Sequence, residues 1–107
     1  MDLSKYYLVF SNWVLTKLGQ HGVTETEVEE SFSNARPIYK EETRARHRSR
    51  PPTFWFIAPT AEDRLLKVIF IAHHKQRLIH IKSAYEPDER EIEIYGEQKD
   101  TFEETFR

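Results

Sequence analysis

Three apolar segments joined by turns of hairpin length constrain the fold of this chain more than any other feature. They span residues 53–58, 65–72 and 78–83. All three are rich in β-branched and aromatic residues, which favour strands. Because the turns over 61–63 and 74–76 are short, antiparallel pairing of sequential strands is the most economical arrangement. We therefore predict a three-stranded antiparallel meander, with a fourth strand at its edge near 37–42.

A helix is predicted between the N-terminal segment and the meander. Thr24-Glu25-Thr26-Glu27 is a capping-box pattern, in which the Thr24 hydroxyl and the Glu27 carboxylate satisfy each other's backbone N–H groups. Val28 and Phe32, four residues apart, give this helix its apolar face. Pro37 prevents its continuation.

A second helix is predicted after the meander. Glu86-Pro87-Asp88-Glu89 places proline in the first turn and carboxylates near the positive end of the helix dipole. Ile92 and Tyr95 are its expected inward residues. We expect the tail over 97–107 to be either frayed or docked through Phe102 and Phe106.

The N-terminal segment over 3–18 leaves two interpretations open. One is a single helix with Tyr7, Phe10, Val14 and Leu18 on one stripe, and the other is a strand over 6–10 followed by a short helix capped by Ser11. In both, the glycines around His21 end the element. The predicted class is α+β: N-terminal helices, a sheet of three to four antiparallel strands, and a C-terminal helix packed on that sheet.

Length and composition restrict the classes further. With 107 residues, of which 38% are hydrophobic, the chain suits one domain over 1–107 with one modest core. No apolar run approaches the ~20 residues needed to span a bilayer, and no signal peptide is recognisable, so we expect a soluble cytoplasmic protein without a membrane partner. The absence of cysteine excludes disulfides, thiol nucleophiles and cysteine-based zinc sites.

Charge is distributed unevenly along the chain. Residues 1–85 carry 13 Lys and Arg against 9 Asp and Glu, whereas residues 86–107 carry 3 against 9. A basic body suits a polyanion such as RNA, and an acidic end can screen that surface or meet a basic partner. For the C-terminal part taken alone, a solvated acidic helix face is the simpler explanation.

The most basic stretch lies over 43–52. Arg44, Arg46, Arg48 and Arg50 alternate, so in an extended conformation they project to one side and match a phosphate backbone. We predict that these four arginines bind RNA. A solvated loop without a ligand and an acidic segment of a partner protein are the alternatives.

The last predicted strand carries candidate catalytic residues. Its period of two places His80 and Lys82 on one face, with Tyr85 just beyond the strand. An imidazole beside an ammonium can transfer protons and hold a phosphate, and a tyrosine can donate a proton or stack on a base. The simpler alternative is that His80 and Lys82 line the solvated side of a sheet.

The remaining histidines give weaker signals. His21 either locks the helix turn by hydrogen bonding or acts in catalysis. His73 and His74 are consecutive, so they point to opposite faces of a strand and cannot chelate one ion, and a site through His73 and His47 is a weak alternative. We therefore expect no metal and no cofactor.

Three segments resemble the BrnT family of toxins, the ribonuclease halves of bacterial type II toxin-antitoxin pairs, which share a RelE-like microbial RNase fold. Gln20-His21-Gly22-Val23 before an acidic helix is similar to the family's Lys-His-Gly-Val turn. The segment over 63–70 is similar to its turn and Leu-Val-rich strand. The segment from His80 through Glu91 to Tyr95 is similar to its Arg-Ile-Ile-Ser-Ala-Arg strand end and following Glu-containing helix.

The resemblance implies a metal-independent endoribonuclease that cleaves RNA by 2′-hydroxyl attack and is bound by an antitoxin protein. It implies a catalytic group of His80, Lys82, Tyr85 and Glu91. The family's cations are replaced here at Gln20, His80, Tyr85 and Glu86. Two alternatives follow: a module of the same fold that binds RNA or a protein without cleavage, and an assembly protein that forms a homo-oligomer through its acidic end.

Overall fold

The computed structural model describes residues 2–36, 38–42 and 51–96, which contain five strands and three helices. The strands are β1 (Tyr7–Val9), β2 (Lys40–Glu41), β3 (Thr53–Pro59), β4 (Leu65–His73) and β5 (Leu78–Tyr85). The helices are α1 (Asn12–Gln20), α2 (Glu25–Asn34) and α3 over residues 89–96. The α+β class and the three predicted strands of the meander are confirmed.

The sheet is mixed rather than antiparallel, and it has five strands in the order β1-β5-β4-β3-β2. β1 runs parallel to β5, with Tyr7 opposite Leu78 and Val9 opposite His80, whereas the other three pairs are antiparallel. The four predicted strands, β2 to β5, pair antiparallel with one another, but the prediction of a purely antiparallel sheet of three to four strands was wrong because β1 adds a parallel fifth strand. Hairpin-length turns reveal only pairs of sequential strands, and a parallel neighbour needs a long connection that they cannot indicate.

The N-terminal segment forms a strand followed by a helix, so the second of its two interpretations is confirmed. The Ser11 hydroxyl accepts a hydrogen bond from the Val14 N–H at 3.1 Å and caps α1. At the other end, the Val23 N–H donates to the Leu18 carbonyl and the Gly22 N–H donates to the Gly19 carbonyl. This Schellman pairing requires the left-handed backbone of Gly22, whose φ is 66°.

Helix α2 begins at the capping box that the sequence predicts. The Thr24 hydroxyl accepts from the Glu27 N–H at 3.1 Å, and the Glu27 carboxylate accepts from the Thr24 N–H at 3.1 Å. The same carboxylate also reaches the start of β4, as described below, so the cap ties α2 to the sheet.

The core lies between the sheet and helices α1 and α2. Val14, Leu18 and Val28 from the helices are buried against one face of the sheet. On that face the Phe70 side chain is fully buried. Its ring lies 5.3–6.0 Å in centroid separation from four surrounding rings, which belong to Phe32, Tyr39, Phe54 and Phe56, and the nearest of them is Phe32 at 5.3 Å.

Helix α3 packs on the opposite face of the sheet. The Tyr95 ring lies 5.8 Å from the Trp55 ring, and its hydroxyl donates to the Ile38 carbonyl at 2.9 Å. Burial, with a smaller contribution from Tyr39, raises the pKa of Tyr95 to about 12. Ile92, predicted to face inward, is 40% exposed.

The start of α3 explains why that prediction was wrong for Ile92. Asp88 and Glu91 form a capping pair, in which the Asp88 carboxylate accepts from the Glu91 N–H at 2.8 Å and the Glu91 carboxylate accepts from the Asp88 N–H at 3.0 Å. Pro87 consequently precedes the helix instead of lying in its first turn. The helix phase then turns Glu91, Ile94 and Tyr95 toward the sheet.

A β-bulge interrupts the pairing of β4 with β5. Ile69 pairs with Ser83 and Phe70 pairs with Ile81, so Lys82 has no partner in β4. A bulge breaks the alternation of faces along a strand. Ile79, Ile81 and Ala84 can therefore all be buried on the face of the sheet that α1 and α2 cover.

Candidate functional site

A group of charged and polar side chains meets where β5 ends, and we call it the Tyr85 site. It contains His21, Glu27, Arg64, Lys67, Tyr85, Glu86 and Glu91. Five elements contribute: the end of α1, the cap of α2, the start of β4, the end of β5 and the cap of α3. The two helix caps fix Glu27 and Glu91, because each carboxylate also accepts a hydrogen bond from a backbone N–H of its own cap.

Arg64 connects three of those elements. Its Nη1 donates to the Gly22 carbonyl at 2.9 Å and to Glu27 Oε2 at 2.9 Å, and its Nε donates to Glu86 Oε1 at 2.7 Å. The hydrogen bond from Arg64 lowers the pKa of Glu27 below its usual value, although partial burial opposes the shift. The guanidinium fork thus fixes the turn after α1 beside the sheet.

Lys67 is the buried cation of the site. Its side chain is 7% exposed, and its Nζ lies 2.6 Å from Glu91 Oε2. The same ammonium sits 4.4 Å from the centre of the Trp55 ring and 5.8 Å from that of Tyr85. A charge this far from water needs such an anion and aromatic faces, so Lys67 and Glu91 hold each other in place.

Tyr85 occupies the centre of the site. Its hydroxyl donates to Glu91 Oε2 at 3.1 Å, and its ring lies 5.6 Å from the His21 ring. Burial raises the pKa of Tyr85, and the Glu91 charge raises it further against the opposing effect of Lys67. The hydroxyl therefore stays protonated at neutral pH and acts as a hydrogen-bond donor.

Two pockets flank Tyr85. One is an open pocket of about 570 Å³, lined by His21, Arg64, Tyr85 and Glu86. The other, of about 300 Å³, is formed by side chains of β2, β3, β4 and α3 around Trp55 and Lys67. The first pocket brings together an imidazole, a guanidinium and a phenol, which are the groups that can move protons and neutralise an anion.

Of the four predicted catalytic residues, the structure brings Tyr85 and Glu91 into direct contact. His80 lies five residues before Tyr85 on β5, a distance of about 16 Å along a strand. Its ring instead contacts the ring of His73, with centroids 4.7 Å apart. Lys82 is exposed at the bulge, so the alternation that made it a neighbour of His80 does not continue through this position.

The predicted RNA-binding arginines, Arg44, Arg46, Arg48 and Arg50, lie outside the described residues, as do His47, Phe102 and Phe106. Within the described ranges, no group of three or more His, Asp or Glu side chains is placed to hold a metal ion. In the same part of the chain, no helix is long and apolar enough to cross a membrane.

Two functional candidates were missed by reasoning on individual residues. Lys67 is a charged residue inside the apolar strand Leu65–His73, and that interruption is a signal of a buried pair. Arg64 entered only through the family resemblance. Its three partners come from distant segments, so no local pattern indicates them.

The pKa of Glu91 predicts how stability depends on pH. Partial burial would raise this pKa, but hydrogen bonds from Lys67 and the Asp88 N–H lower it overall. A carboxylate with a lowered pKa in the folded state contributes stability above the unfolded value, about 4.3, and loses it as pH falls through the folded value. We expect Glu91→Gln to be less stable at pH 7 and to lose less stability between about pH 5 and 3.

Urea unfolding of both proteins across this pH range measures the effect. Glu93→Gln, an exposed change in the same helix, is the control and should follow the wild-type curve. Parallel pH curves for Glu91→Gln and wild type would show that the Glu91 pair does not contribute to acid sensitivity.

No family model, curated protein or solved structure matches this chain. The resemblance to BrnT toxins therefore remains a prediction, and the functional proposals below depend on the Tyr85 site.

Proposed function

We propose that this chain is the toxin-like component of a type II toxin-antitoxin system, a cytoplasmic endoribonuclease of the BrnT-like, RelE-like kind that cleaves RNA without a metal. The observation that carries the proposal is the open pocket in which His21, Arg64 and Tyr85 converge, with the Tyr85 hydroxyl hydrogen-bonded to Glu91. Charge-stabilising and proton-transferring groups within one pocket are what a phosphodiester cleavage requires.

The proposed reaction assigns one role to each group. His21 removes the proton of the ribose 2′-hydroxyl, and the resulting oxygen attacks the neighbouring phosphorus. Arg64 stabilises the negative charge on the pentacoordinate phosphorane. The Tyr85 hydroxyl turns its proton from Glu91 to the departing 5′-oxygen and transfers it there, so the products are a 2′,3′-cyclic phosphate and a 5′-hydroxyl.

Glu91 and Lys67 position Tyr85 in this scheme. Glu91 holds the phenolic hydroxyl at 3.1 Å, and the nearby Lys67 ammonium stabilises the phenolate that forms after proton transfer. Glu86 keeps Arg64 at the edge of the pocket. The predicted catalytic roles of Tyr85 and Glu91 are retained, and His21 replaces His80 as the proposed base.

Incubation of the purified protein with end-labelled single-stranded RNA in excess EDTA tests the proposal. At saturating RNA, where effects on binding do not limit the rate, we expect cleavage with 2′,3′-cyclic phosphate ends, lost in His21→Ala and retained in the double variant His80→Ala/Lys82→Ala. Loss of cleavage in the double variant, with activity in His21→Ala, would place the catalytic centre on β5, as the sequence predicts.

Expression without a partner should arrest growth, and co-expression of a cognate antitoxin should relieve that arrest.

A second candidate is a module of the same fold that binds RNA or an antitoxin-like protein without cleaving. Carboxylates neutralise both cations of the site, because Arg64 contacts Glu27 and Glu86 while Lys67 contacts Glu91. An anionic substrate must compete with these carboxylates. Intact RNA in the assay, together with salt-dependent binding, would favour this candidate.

A further inference from the structure

We propose that the end of the sheet opposite the Tyr85 site binds single-stranded RNA by stacking bases on the exposed Tyr7 ring, beside two half-buried imidazoles, and holding phosphates on neighbouring cations. We call this surface the Tyr7 face, and it consists of Tyr7, His73, Lys75, Arg77 and His80. The inference rests on the proposed function for the class of its ligand. It adds a second contact for RNA, distant from the cleavage site.

Strand register places the rings of the Tyr7 face together. Tyr7 of β1 and His73 of β4 both pair with Leu78 of β5, so these three side chains form one row on one face of the sheet. His80 shares that face two residues further along β5, and its ring packs edge-on against His73 at 4.7 Å. The neighbouring residues Leu8 and Ile79 point to the other face and pack in the core.

The Tyr7 ring is available to a ligand. Its side chain is 75% exposed, although its backbone N–H is fixed by a 3.0 Å hydrogen bond to the Arg77 carbonyl. Helix α3 covers the other part of this sheet face, near Trp55 and Lys67. An exposed aromatic on a rigid strand is a platform for base stacking, because every base has a π-face.

The turn that adjoins these rings carries two cations. Lys75 and Arg77 lie in the turn between β4 and β5, and within the described part of the chain neither makes an ion pair. Arg64 and Lys67, in contrast, each make an ion pair with a carboxylate, which neutralises their charge. The two turn residues therefore offer phosphate groups a charge that needs no displacement of an internal partner.

Arg77 occupies an unusual backbone position. Its φ is 55°, in the left-handed region that glycine and asparagine adopt more readily. A long cationic side chain at a position that favours glycine indicates a use for that side chain. Rings beside unpaired cations fit single-stranded RNA better than an acidic protein segment, which would use the cations but not the rings.

Fluorescence anisotropy with a labelled single-stranded 2′-O-methyl RNA tests the proposal, because this probe binds but cannot be cleaved. We expect Tyr7→Ala to weaken binding about tenfold and Tyr7→Phe to retain it, since phenylalanine also stacks. Arg77→Gly should weaken binding and reduce the slope of log affinity against log salt by about 0.7. Glycine suits the left-handed backbone, so this variant removes charge without strain.

Arg90→Ala, which removes one exposed charge from α3, is the matched control and should bind as wild type does. Wild-type affinity in both Tyr7→Ala and Arg77→Gly would overturn the proposal. So would an equal loss in Arg90→Ala, or variants that lose binding to a polyglutamate peptide while keeping the RNA. A wild-type protein that binds this probe through the Tyr7 face but leaves natural RNA intact would support the inference and contradict the proposed ribonuclease.

Discussion

Replacing Tyr85 by phenylalanine is expected to reduce the rate of RNA cleavage by about 10²- to 10⁴-fold, the usual contribution of a positioned acid. The substitution keeps the ring beside His21 but removes the hydroxyl that Glu91 holds at 3.1 Å. Single-turnover cleavage of saturating labelled RNA measures the chemical step directly. Binding of an uncleavable RNA should change little, because the phenyl ring still lines the pocket.

Tyr95→Phe is the matched control for this experiment. It also removes a tyrosine hydroxyl with a hydrogen bond, to the Ile38 carbonyl, but it lies on α3 outside the pocket. We expect normal cleavage and a stability loss of about 1 kcal/mol from the missing hydrogen bond. Full activity in Tyr85→Phe would show that another group protonates the leaving oxygen.

Replacing Phe70 by alanine should destabilise the protein by about 3–5 kcal/mol, because it removes a large ring and leaves a cavity. Phe70 is fully buried, and the rings of Phe32, Tyr39 and Phe56 all pack against it. Domains of this size are typically stable by about 5–15 kcal/mol, so this loss is a substantial share of the total. Urea unfolding followed by circular dichroism measures the change.

Leu65→Ala provides the comparison within the same strand. Leu65 is 41% exposed, so its truncation should lower the free energy of unfolding by about 1 kcal/mol or less. A loss below 1 kcal/mol in Phe70→Ala would mean that the aromatic cluster is not the centre of the core.

Local signals determined most of the secondary structure. Ser11 and the Thr24–Glu27 box mark helix starts because capping bonds join residues two or three apart. The apolar segments of the meander became β3, β4 and β5 because their composition and turns act locally. The parallel pairing of β1 was not predictable in this way, because its partner begins about 70 residues later and no local pattern couples the two.

The site was predictable only in part, for a related reason. Tyr85 and Glu91 lie six residues apart on either side of a cap, and their contact follows from that closeness. The bulge at Lys82 shifts the alternation of faces, and nothing in the residue types of β5 indicates it. Arg64 and Lys67 find their anions on three different elements, so their roles depend on tertiary structure.

The pairing of β1 with β5 has a consequence for synthesis of the chain on the ribosome. Residues 7–9 emerge well before the strand that they pair with, which ends at residue 85. Leu3, Leu8 and Phe10, which pack against the finished core, must wait in the growing chain until β5 is released. Closing so long a loop is entropically unfavourable and slow, so nascent chains shorter than this expose an apolar N-terminal segment to chaperones.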